Sequence, residues 1–152
     1  MHLVGGCLIF TGILIWISKD YDGKKQIDEF PFSNALVVGF FQGLAILPGV
    51  SRSGSTIAIS KILGMDPVKA ARLSFLLFIP AIMGATLLKI GEIDETVDEV
   101  GLLALTLGFL SSAVTSYFAV SALLKLIKQQ KFHYFTPYCI LLGMFLIYTS
   151  LF

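Results

Sequence analysis

The side chains able to do chemistry are gathered in residues 42–56, which read Gln-Gly-Leu-Ala-Ile-Leu-Pro-Gly-Val-Ser-Arg-Ser-Gly-Ser-Thr and set one arginine and four hydroxyls between the apolar runs 35–41 and 57–59. An unpaired Arg52 in such surroundings is costly, so an anionic partner is expected to meet it. Pro48-Gly49 stops a helix, and the small hydroxyl-bearing residues 51–56 suit the start of the next. A helix that begins at Ser53 or Gly54 beside Arg52 presents free N–H groups and the positive end of its dipole, which together make an anion site, with phosphate as its natural occupant. Gly49 and Gly54 permit close backbone approach. Arg52 can hold two oxygens at once, and Ser51, Ser53, Ser55 and Thr56 can each donate a hydrogen bond. The plainer alternative is that Arg52 ties the tip to helix carbonyls or a hidden carboxylate, while the serines act as caps.

The elements that must position this stretch are membrane helices. The chain has 152 residues, 56% of them hydrophobic and 14% charged, with a mean hydropathy of +0.86. That is too apolar for a domain whose surface is covered by charge, and it implies an all-α polytopic membrane protein. A net charge of +1 with basic residues scattered over short loops argues against nucleic-acid binding. Cys7 and Cys139 lie inside apolar runs and are read as small hydrophobes rather than as a disulfide or metal pair. Residues 3–18, 73–90, 101–124 and 134–152 are each read as a transmembrane helix. The first lacks a basic leader and a cleavage site, so it is expected to be retained, although so abrupt a start also resembles a severed larger protein. A kink is expected at Pro80. Ala104, Gly108, Ser112 and Ser116 recur every four residues and form a small-residue stripe suited to helix packing.

Residues 33–64 do not fit a single crossing. Their second arm reaches only about 15 Å, half the hydrocarbon thickness, which favours a re-entrant helix-loop-helix hairpin with its tip deep in the membrane. Charge supports that reading. With a hairpin, nine basic residues (Lys19, Lys24, Lys25, Lys61, Lys69, Arg72, Lys125, Lys128 and Lys131) fall on one face, and Lys89 falls on the other with the acids of residues 92–99. A single crossing would divide them six against four, so the positive-inside rule selects the hairpin, entering from the cytoplasmic face.

Residues 39–56, Gly-Phe-Phe-Gln-Gly-Leu-Ala-Ile-Leu-Pro-Gly-Val-Ser-Arg-Ser-Gly-Ser-Thr, resemble the second signature of the undecaprenyl-diphosphate phosphatase family, the bacitracin-resistance type of membrane enzyme. The similarity continues through residues 70–80, Ala-Ala-Arg-Leu-Ser-Phe-Leu-Leu-Phe-Ile-Pro, and covers the chain as the C-terminal half of that architecture. The resemblance implies two inverted repeats whose paired hairpin tips form the active site. It also implies hydrolysis of a polyprenyl diphosphate to its monophosphate at the bacterial cytoplasmic membrane, which recycles the carrier for peptidoglycan synthesis. By the same resemblance Arg52 would hold the diphosphate and Ser51 would stand with it at the reacting group. Gln42, Gly49, Ser53, Gly54, Ser55 and Thr56 would line the cradle, Gln42 standing where the other hairpin carries a glutamate.

The chain departs from the family in one respect. It has no Asp or Glu between Pro31 and Asp66, and His2 and His133 lie near span ends. Phosphoryl transfer needs a group that orients or deprotonates the nucleophile as well as charge neutralisation. The expectation is therefore conditional: Arg52 and the hydroxyls bind the diphosphate, while a carboxylate, a histidine and a Mg2+ or Ca2+ ion come from a missing N-terminal half or a second copy. A non-catalytic lipid-phosphate binding or transport module, and an inactive fragment, are the competing readings.

Overall fold

The computed structural model describes residues 1–89 and 101–151. The acidic loop expected at 92–99 lies outside these residues. Among them are six α-helices: α1 (His2–Ile17), α2 (Phe32–Leu44), α3 (Arg52–Ile62), α4 (Pro67–Lys89), α5 (Leu102–Lys128) and α6 (Phe135–Leu151). Four of the described segments, built on α1, α4, α5 and α6, are long and apolar enough to cross a membrane. The chain is thus an all-α, multi-pass membrane protein.

The boundaries follow local chemistry. α2 starts after Pro31 and α3 starts at Arg52, capped by Ser51. α4 starts six residues earlier than expected. The Asp66 carboxylate accepts from the backbone N–H groups of Val68 and Lys69, both at 3.0 Å, and Pro67 fills the first helical position, where no N–H is needed. Lys69 and Arg72 therefore belong to the opening turns of α4 rather than to a loop. α4 runs on through Pro80, and α5 continues to Lys128, past the expected end at 124.

α2 and α3, with 13 and 11 residues, are about 20 and 17 Å long, too short to cross a hydrocarbon core of about 30 Å. Their two feet are joined. The Lys25 N–H donates to Gly64 O and the Asp66 N–H donates to Lys25 O, each at 3.1 Å, so the strand-like bridge of Lys25 and Met65 closes the hairpin where it opened. The 3-10 turn Ser18–Asp20 and the turn Phe132–Tyr134 meet at the same end, where the Gln130 amide donates to Asp22. The basic loop residues expected on one face accordingly gather at one end of the molecule.

α3 is the hub of the fold. Every residue from 54 to 61 is buried, with Ile57 and Ala58 packed among Val38 of α2, Ile15 of α1 and Ala70 and Ala71 of α4. α1 and α6 run antiparallel. His2 Nε2 lies 3.1 Å from Ser150 Oγ, and Gly5 and Gly143 approach so closely that a Cβ on either would lie 2.7 Å from the other's carbonyl oxygen. α4 and α5 are different: Leu88 is 88% exposed, and a Cβ on Gly108 would meet nothing within 4 Å. Among the described residues no element covers the small-residue stripe from Ala104 to Ser112.

Candidate functional site

The tip of the hairpin is fixed from the α1 side. Thr11 of α1 donates to Cys7 O at 3.0 Å and accepts from the Ser51 N–H at 3.1 Å, binding the start of α3 to the middle of a spanning helix. Gly49, at φ 99°, lies against Val4 and Cys7; a Cβ there would collide with the Val4 carbonyl. Val4 stands fourteen residues from Ser18, so the tip reaches about 20 Å from the end where the hairpin's feet are joined. That backbone contact and that φ are the reasons residue 49 is glycine.

The first turn of α3 uses its hydroxyls in two ways. Ser51 Oγ accepts from the Gly54 N–H at 3.1 Å, a side-chain cap that leaves its own proton free to donate. Ser55 donates to Ser51 O, and Thr56 donates to Arg52 O at 2.9 Å. Both side chains are fully buried, so the structure turns Ser55 and Thr56 into the helix and away from any cavity, the local back-bonding open to a helical hydroxyl. Gly54 is also buried, with its N–H engaged by the cap. The amides of Arg52 and Ser53 are the first two of the helix, which helix geometry leaves unpaired.

Arg52 stands between two cavities. One, of about 350 Å3, opens toward α2 and is lined by Gly39, Gln42, Gly43, Ile46, Leu77 and Ala81 together with Arg52. The Gln42 amide lines it but donates to Leu77 O at 3.0 Å, so this residue braces α2 against α4. The other, of about 420 Å3, opens toward α5 and is lined by Arg52, Ser53, Ser74, Phe75, Phe78, Ser116 and Val120. The Arg52 guanidinium lies 5.1 Å from the centre of the Phe78 ring, a cation–π distance. Ser74, buried, has its Oγ 2.6 Å from Thr56 Oγ1. Since the Thr56 proton goes to Arg52 O, Ser74 is the donor in that pair. The structure thus brings Arg52 and Ser53 to one cavity with Ser74 and Ser116, and holds Ser51 to Thr11 on the α1 side; Thr11, Ser74 and Ser116 are residues that the sequence did not single out for a site.

This set can hold and neutralise negative charge; it offers no base. Among the described residues, no three His, Cys, Asp or Glu side chains converge as metal ligands, and the hairpin between Pro31 and Asp66 contains no carboxylate. A hard divalent ion needs such oxygens, so the described residues of the hairpin do not by themselves fit one. His2 shares a cavity with Leu47 and Val50 of the tip loop but directs Nε2 to Ser150, and it lines neither cavity beside Arg52; His133 lies at the other end, near the Gln130 carbonyl. Outside the apolar spans, burial lowers the pKa of Lys61 at the foot of α3, partly opposed by Asp22 and Asp20.

Comparison with known proteins places the geometry in a family. Residues 1–145 match the family described as bacitracin resistance protein BacA. An undecaprenyl-diphosphatase of Desulfosudis oleivorans is 44% identical over 144 residues, covering 94% of this chain and 52% of the relative. One from Methanothermobacter thermautotrophicus is 40% identical over 97% of this chain and 83% of its own length. One from Alkaliphilus metalliredigens is 39% identical over 98% and 55%. The chain therefore spans about half the length of most of these relatives.

Proposed function

The chain belongs to the BacA family of bacitracin resistance proteins, and from that premise we propose that it supplies the diphosphate-holding half of an undecaprenyl-diphosphatase site in the bacterial cytoplasmic membrane. The observation that carries this reading is the state of Arg52. It heads a buried helix at the tip of a hairpin and has a ring contact with Phe78, and its guanidinium has no hydrogen-bonding or ionic partner among the described residues. A permanent cation left so at depth is matched by a multiply charged ligand.

In the proposed reaction a water oxygen attacks the terminal phosphorus, the anhydride bond breaks, and the lipid leaves as its monophosphate. Arg52 offsets the charge that builds on the phosphoryl oxygens, aided by the Arg52 and Ser53 amides and by the hydroxyls of Ser51 and Ser53. Ser55 and Thr56 support that turn from behind, and Gln42 and Gly49 hold the tip to α4 and α1. The carboxylate and histidine that orient the water, and the ligands of any Mg2+ or Ca2+, come from a complementary half. That half is either further sequence of a longer protein or a second polypeptide, seated against the exposed faces of α4 and α5.

The test is phosphate release from farnesyl diphosphate in nanodiscs, by this chain alone and co-reconstituted with the N-terminal half of the Desulfosudis oleivorans relative. Release only from the combination, abolished by Arg52→Ala, is the expected result. Release by the chain alone would overturn the division of labour; release from the combination that survives Arg52→Ala would overturn the role of Arg52.

A further inference from the structure

The two cavities beside Arg52 are unequal in a way that selects between them. The α2-side cavity has one polar side chain besides Arg52, Gln42, and its amide N–H is engaged with Leu77 O. The α5-side cavity brings together Ser53, Ser74 and Ser116 from three helices, over the ring on which the guanidinium rests. The hydroxyls of Ser53 and Ser116 have no hydrogen-bonding partner among the described residues. A helical serine ordinarily satisfies itself on the carbonyl one turn back, as Ser121 and Thr115 of the same helix do. Ser116 instead lines the cavity that Arg52 faces.

We infer that the phosphate-bearing headgroup is received on the α5 side of Arg52, with Ser116 donating from the opposite wall to Ser53 and Ser74 closing the floor between them. Ser116 is then a substrate-contacting residue, and the last member of the small-residue stripe has a ligand to serve as well as a helix to admit. This rests on the reading of Arg52 as the diphosphate holder. It adds which face of the arginine is used and a residue from a helix outside the hairpin.

The test blocks each cavity in turn in the full chain in nanodiscs, with farnesyl diphosphate as probe and farnesol as the control for tail binding alone. Ser116 is exposed on a regular helix and leucine is a good helix former, so Ser116→Leu fills the α5-side cavity without threatening the fold. Ala81→Leu fills the other side in the same manner. Ser116→Leu is expected to weaken farnesyl diphosphate binding about tenfold or more, Ser116→Ala by a smaller factor, and Ala81→Leu by no more than about twofold. Full affinity in Ser116→Leu, or an equal or greater loss in Ala81→Leu, overturns the inference while leaving Arg52 its role. Wild-type chain that binds farnesyl diphosphate no better than farnesol overturns the underlying reading and this one with it.

Discussion

The α1–α6 pair and the α4–α5 pair are built from similar apolar helices and behave oppositely. In the first, Gly5 and Gly143 let the backbones close until a methyl group has no room; in the second, Gly108 stands in open space and Leu88 is almost wholly exposed. The hairpin lies between them and takes a different character from each. Its α1 side is locked by Thr11 and by Gly49 against Val4, whereas its α4–α5 side carries Arg52 and the cavities. Rigidity on one flank and openness on the other would suit the anion site proposed for Arg52, with the charge held in place and a way in left for a ligand.

Substitutions that exploit this contrast should rank in a definite order. Gly49→Ala combines a left-handed backbone with a collision against the Val4 carbonyl and should cost about 3 kcal/mol, read as unfolding in mixed micelles. A cost under about 1 kcal/mol would mean that the tip is not locked to α1. Gly143→Ala should cost about 2 kcal/mol, while Gly108→Ala, with nothing to strike, should leave the chain as stable or slightly more so through helix propensity. Equal losses at both glycines would erase the difference between the two pairs. Thr11→Val keeps the shape but strands the Ser51 N–H, for about 1 kcal/mol and a looser tip, visible as faster amide exchange at Ser51.

The smallest effect is electrostatic. Burial lowers the folded-state pKa of Lys61, so over the interval between that lowered value and the ordinary 10.5 the unfolded chain holds the extra proton. Stability should therefore rise with pH through that interval, and Lys61→Met should flatten the rise. A pH profile identical in the two proteins would show that the ammonium carries no desolvation burden.

Much of this was legible in the sequence because it rests on local or periodic signals. Apolar runs located four spans, and the short arms around Pro48-Gly49 indicated two helices that return to one end. The small hydroxyl-bearing residues 51–56 announced a helix start, expected at Ser53 or Gly54 and found at Arg52. Asp66-Pro67 announced another just as clearly, but Lys69 and Arg72 drew the boundary of α4 toward the apolar run. What escaped were residues whose role depends on a neighbour distant in the chain. Thr11 is a lone hydroxyl in an apolar helix until Ser51 is seen beside it, and Ser116 is one of four small residues until the cavity is seen beneath it. The hydroxyls of Ser55 and Thr56 had been expected to line the cradle along with those of Ser51 and Ser53. Their direction is a matter of rotamer, on which composition is silent, and both point into the helix.

The bridge between Lys25 and Met65 has a consequence for how the chain threads. A segment whose two feet are buttoned together contributes no net passage from one end of the bundle to the other. α2 and α3 could be lengthened or shortened by matching turns, and the orientation of α4, α5 and α6 would remain as it is. The height of Arg52 along the bundle is thus a variable separate from the threading of the scaffold.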